Sequence, residues 1–160
     1  MSKQTSLFPW LFLSALVIVL DQISKTIVSR MLHHGDSRVI VDHLNLVLSD
    51  NPGVAFGLLA QFSGWQRYPL IALGIGATLF MLYLLVKHSG QKMFSFALAM
   101  IIGGALGNVI DRILHGHVID FLDFYIGDWH WPAFNVADSA ITLGAVLLVL
   151  DELRRVRRSK

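Results

Sequence analysis

The chain contains no cysteine. That excludes a thiol nucleophile, a zinc–thiolate centre and any disulfide framework. Charge is scarce as well: Asp, Glu, Lys and Arg make up 15% of the 160 residues, against about 25% in an ordinary soluble domain. The stretch Gly116–Ala133 has no Lys or Arg at all. Two signatures of hydrolytic chemistry are also missing. There is no HExxH, which disfavours a zinc protease within the membrane. There is no G-x-S-x-G elbow, and Ser139 has no activating partner in the sequence.

What is abundant is apolar surface. The chain is 54% hydrophobic, with a mean hydropathy of +0.60. A protein whose exterior is mostly lipid has this balance. Residues 1–160 are expected to form a single membrane domain, with no room for a second folded unit. Four stretches are long enough to cross a bilayer core of about 30 Å: about Pro9–Val28, Tyr68–Val86, Met93–Leu114 and Phe134–Leu150. The segments 29–67 and 115–133 are then the outer loops. The first segment reads as a span rather than a cleaved leader, because no small-residue cleavage site follows it.

Basic residues set the orientation. Lys3 precedes the first span, Lys87 and Lys92 flank the second turn, and Arg154, Arg155, Arg157, Arg158 and Lys160 follow the fourth. In the first loop, Arg30, Arg38 and Arg67 are balanced by Asp36, Asp42 and Asp50. Both termini are therefore expected in the cytoplasm. The pI near 9.2 reflects a topology anchor facing anionic lipid rather than a nucleic-acid patch.

The first outer loop carries a strand pattern. Ile40, Asp42, Leu44, Leu46 and Leu48 alternate within Val39–Leu48, as in a half-buried strand. Asn51-Pro52-Gly53 supplies a turn and Val54-Ala55-Phe56 a return strand. The expected fold is thus an all-α four-helix membrane bundle with a small β-hairpin sheet in its first outer loop. Trp65, Tyr68, Trp129 and Trp131 fall where interfacial aromatic belts are expected.

Polar residues inside this background carry the chemistry. Asp21 and Lys25, spaced i, i+4, share one helix face and can pair. Asn108, Asp111 and Arg112 put amide, carboxylate and guanidinium on one side of the third span, a pair of the last two being expected to face protein or a wet cavity. Gly103-Gly104-Ala105-Leu106-Gly107 contains a GxxxG spacing suited to close helix approach. Asn135 is placed to cap the fourth helix, whose N-terminus favours a charged Asp138.

Two carboxylates near lipid point to acid–base hydrolysis. Asp138 lies a turn inside an apolar helix, and Asp120 lies in the apolar run Val118-Ile119-Asp120-Phe121-Leu122. Periodicity alone does not decide between Asp120 and its neighbour Asp123. Two carboxyls held close share a proton, so one can deprotonate a water while the other protonates a carbonyl oxygen or leaving amine. His115, His117 and His130 are a weaker alternative, as a metal site.

At this point the residues resemble a family. Asp21-Gln22-Ile23-Ser24-Lys25, Asn51-Pro52-Gly53-Val54-Ala55-Phe56, Gly103-Gly104-Ala105-Leu106-Gly107-Asn108 with Asp111-Arg112, Val118-Ile119-Asp120-Phe121 and Phe134-Asn135-Val136-Ala137-Asp138 follow in order along almost the whole chain. Together they resemble the lipoprotein signal peptidases (signal peptidase II), membrane aspartyl proteases of bacteria. The resemblance implies Asp120 and Asp138 as a catalytic dyad, without metal or cofactor. It implies supporting roles for Asp21, Lys25, Asn51, Gly53, Asn108, Asp111, Arg112 and Asn135. It also implies a prolipoprotein substrate with a diacylglyceryl cysteine, cut on the amino side of that cysteine near the outer face of the cytoplasmic membrane. A monomer contacting substrate and membrane lipids is expected. The alternative from another class is a small proton-coupled transporter, which needs a carboxylate near the bilayer midplane.

Overall fold

The computed structural model describes residues 6–53 and 64–158. Its helices are α1 (Phe8–Met31), α2 (Arg67–His88), α3 (Lys92–Leu114) and α4 (Val136–Arg158). Its strands are β1 (Ser37–Val41), β2 (Leu44–Asn51), β3 (Val118–Ile126) and β4 (Trp129–His130). The first three helices are long and apolar enough to cross a membrane by length and composition. α4 is equally long but carries Asp138, Asp151 and Glu152.

α3 is the hub, packing against α1, α2 and α4. Its Gly104 sits so close to α4 that a Cβ there would run into the Ala137 carbonyl. At Gly107 a Cβ would stand 2.6 Å from Asp21 Oδ2 on α1. The GxxxG stripe therefore lets a carboxylate, not only a backbone, press against α3. α1 shows the inverted pattern of a membrane helix: Ser14, Asp21 and Lys25 are buried with Val17 and Val28. Leu16, Leu20, Ile23 and Ile27 face outward. Polar groups turn inward because lipid offers them no partner.

The sheet differs from the expected hairpin. It has four strands in the order β1-β2-β3-β4, so it draws on both outer loops. The turn falls inside Val39–Leu48, between Val41 and Leu44, which pair across it. His43 takes a φ of 71° there, a left-handed conformation that His adopts more readily than most residues. Val54-Ala55-Phe56 lie outside the described residues. Besides β1, β2 pairs with β3, antiparallel, with Ser49 opposite Asp120 and Asn51 opposite Val118. In the second loop Val118–Phe121 are buried on both faces of β3, which packs against α1 and α3 and is hydrogen-bonded along one edge to β2.

The fourth helix begins at Val136, two residues after the expected start. Phe134 is held by β3 instead: its N–H donates to the Leu122 carbonyl, and its own carbonyl accepts from Phe121 and Leu122. That bridge sets the start of α4 beside Asp120.

Candidate active site

Asp120 and Asp138 line one cavity of about 800 Å³, with Asn51, Asn108 and Arg112. Ile141, Leu143 and Val146 on α4, with Phe134 just before it, give the cavity an apolar wall. Asp123 is elsewhere. Three positions along a strand reverse the face, and Asp123 accepts from Asn45 Nδ2 at 3.0 Å and meets His130 Nδ1 at 2.8 Å.

Three asparagines hold the two carboxylates. Asn51 Nδ2 donates to Asp120 Oδ2 at 3.0 Å, and Asn135 Nδ2 donates to Asp120 Oδ1 at 2.7 Å. Asn108 Nδ2 donates to Asp138 Oδ1 at 2.8 Å. Asn135 also caps α4, its Oδ1 accepting the Asp138 N–H at 2.9 Å. One fully buried amide thus fixes both acids. Burial pushes the Asp120 carboxyl up to about 7, helped by the neighbouring Asp138 and opposed by the amides of Asn51 and Asn135.

The polar residues of α3 diverge rather than form one cluster. Asp111 does not pair with Arg112. It pairs with Lys25 at 2.8 Å, and Lys25 is equally close to Asp21. Consecutive helical positions point about 100° apart, so Arg112 turns the other way and donates to the Gly53 carbonyl at 3.0 Å. Gly53 in turn donates its N–H to Asn51 Oδ1 at 3.1 Å. Arg112 and Gly53 therefore hold the loop that carries Asn51.

Behind the two acids lies a buried ion cluster. Lys25, Asp21 and Asp111 are at most 2% exposed. Asp21 Oδ1 accepts the Ala137 N–H at 2.9 Å, and Asp111 Oδ2 accepts the Ile119 N–H at 3.1 Å. Each carboxylate grips the residue before a site aspartate. Gln22 is a further member of the cluster that the sequence does not single out: its Nε2 donates to Asp111 Oδ1 at 2.8 Å and to the Gly107 carbonyl at 3.2 Å. Its only sequence signal is an amide beside Asp21 in an apolar helix.

The three histidines do not converge. His130 stacks on Tyr125 beside Asp123, whereas His117 faces Asp50 at 3.4 Å.

The signal peptidase II family model matches residues 13–154. The chain belongs to the signal peptidase II family. The lipoprotein signal peptidase of Janthinobacterium sp. (strain Marseille) is 57% identical over 97% of this chain and 94% of its own length. That of Burkholderia vietnamiensis is 57% identical over 100% and 98%. Two solved structures of bacterial membrane enzymes, obtained by the in meso method at 2.3 and 1.9 Å resolution, share the fold. The first superposes with a TM-score of 0.89 at 31% identity, covering 100% of this chain and 96% of that one. The second has a TM-score of 0.85 at 29% identity, covering 96% and 97%. In this signal peptidase II family member Asn51, Asn108, Arg112, Asp120 and Asp138, from four of the five motif blocks, line one apolar-walled cavity.

Proposed function

We propose that this protein is a metal-independent aspartyl endopeptidase that removes the signal peptide from diacylglyceryl-modified prolipoproteins. The observation that carries the reading is the pair Asp120 and Asp138, lining one cavity and both bonded to Asn135. Together the pair holds one proton. The ionised member takes a proton from a water, whose oxygen attacks the scissile carbonyl. The protonated member delivers its proton to the carbonyl oxygen, giving a tetrahedral diol. Collapse of the diol re-forms the carbonyl, breaks the C–N bond and protonates the leaving amine. The products are the free signal peptide and a chain that begins with the lipidated cysteine. The dyad titrates as a unit, and neither acid is a fixed base.

The apolar wall supports a lipid-borne substrate. A diacylglyceryl anchor holds the scissile bond at the membrane surface, so proximity comes from the lipid and not from a deep polar pocket. In this reading residues 1–160 are one domain, α4 is the fourth span, and both termini lie in the cytoplasm. The dyad faces the outer surface of the inner membrane, Asn51, Asn108 and Asn135 orient the acids, and the working unit is a monomer.

The test is cleavage by purified protein in detergent, comparing a diacylglyceryl-modified prolipoprotein with the same chain unmodified. The modified chain is cut on the amino side of its cysteine, and the unmodified one is not. Equal cutting of both would remove the lipid from the account.

A further inference from the structure

A second cavity, of about 430 Å³, shares no lining residue with the first. It lies between the C-terminal ends of α1 and α3 and the end of β2, and Lys25, Arg30, His34, Asp50, Asp111 and His117 are among its lining residues. Its acceptors are spent. Asp111 already takes Gln22 on one oxygen, and Lys25 and the Ile119 N–H on the other. Asp50 takes His34 Nε2 at 3.0 Å on Oδ2, with His117 Nδ1 at 3.4 Å from Oδ1.

Its donors are not spent. The exposed guanidinium of Arg30 has no partner among the described residues. Nδ1 of His117 faces Asp50, and the exposed ring of His115 lies 6.1 Å from that of His117. A free guanidinium beside carboxylates that are already engaged is complementary to an oxyanion.

The surroundings say how that oxyanion arrives. Ile23, Ile27 and Met31 recur every four residues on α1, each about half exposed. Thr26 and Arg30, on the adjoining face, line the cavity. Ile113 and Leu114 expose the end of α3 in the same way. An apolar stripe ending in a guanidinium is matched by a molecule with an acyl chain below and a phosphate above. We infer that this cavity is a binding site for the phosphate of a phospholipid headgroup, its chains lying along Ile23, Ile27 and Met31. The site is separate from the dyad and does not depend on the chemistry proposed for it.

The experiment uses the full-length protein in detergent, with ligand binding read from the shift in apparent Tm. The probes are dioctanoyl phosphatidylglycerol, the matched dioctanoylglycerol without phosphate, and inorganic phosphate. The expected result is a saturable rise with the phospholipid, little with the diacylglycerol, and a weak response to phosphate. Arg30→Gln, at an exposed position, weakens phospholipid binding by about tenfold and leaves cleavage unchanged, and Arg30→Lys restores part of the affinity. Equal shifts with phospholipid and diacylglycerol, or unchanged binding in Arg30→Gln, would overturn the site. Saturation by inorganic phosphate with no gain from the lipid form would overturn the lipid as its occupant.

Discussion

The carboxylate of Asp21 holds the backbone N–H of Ala137 at 2.9 Å, across 116 positions of sequence. Asp111 holds the N–H of Ile119 in the same manner, and Lys25 lies 2.8 Å from both carboxylates. One buried ammonium thus ties together the backbone just before Asp120 and the backbone just before Asp138. Lys25→Met leaves two buried carboxylates without their cation, a change that costs about 3–5 kcal/mol. Thermal unfolding in detergent should show a large loss of apparent Tm together with loss of cleavage. A Lys25→Met protein as stable as wild type would remove the cluster from this account.

The pH dependence follows from Asp120. Its carboxyl is raised to about 7 in the fold, against about 3.9 in an unfolded chain. Between those values the native state binds the proton more tightly, so ionising Asp120 costs stability as pH rises from about 4 through about 7. Asp120→Asn cannot ionise. It should be close to wild type in apparent Tm near pH 4 and more stable than wild type above pH 7. A gain that does not grow with pH would contradict the burial argument.

The same proton is used in turnover. Cleavage should decline on the alkaline side as the shared proton leaves, with a midpoint near the value of about 7 carried by Asp120. Asp123→Asn should keep that limb in place, because Asp123 serves Asn45 and His130 instead. A limb that moves with Asp123 would assign the wrong carboxylate.

Asn135 joins the two acids, donating to Asp120 and capping the Asp138 N–H. Asn135→Ala removes the cap at a cost of about 1 kcal/mol. It also removes the amide that holds Asp120 in place, so turnover should fall with it. The expected signature is a small drop in Tm and a large drop in kcat, with KM nearly unchanged. An effect confined to KM would make Asn135 a substrate contact.

At Gly107 an added Cβ would stand 2.6 Å from Asp21 Oδ2. Gly107→Ala therefore pushes on the carboxylate that holds Ala137, and overpacking of this kind costs about 1–3 kcal/mol. Gly76→Ala on α2 has open space around it and serves as the control. Equal stability of the two variants would show that α1 can move away without penalty.

The helices were legible to within about three residues at most ends, because long apolar runs in lipid leave few alternatives. α4 was the exception. It runs on to Arg158 as a charged extension beyond the apolar stretch, and its start is set by the bridge from Phe134 to Leu122. The sheet was half legible. β3 is buried on both faces around Asp120, so it shows no alternation, and the β1–β2 turn at Asp42-His43 contains neither Gly nor Pro. The polar residues of the site stand out individually against an apolar chain. Their partners do not: Asp21 and Asp111 bond backbone N–H groups, which carry no side-chain signature. The choice between Asp120 and Asp123 needed the register of β3 or the family resemblance.

The most direct test is cleavage of a diacylglyceryl-modified prolipoprotein by wild type and by Asp120→Asn, Asp138→Asn and Asp123→Asn, with and without chelator. The account predicts that wild type and Asp123→Asn cut the substrate in the presence of chelator, while the folded Asp120→Asn and Asp138→Asn proteins do not. Substantial cleavage by either of those two, or loss of wild-type cleavage on adding chelator, would contradict a metal-independent Asp120/Asp138 mechanism.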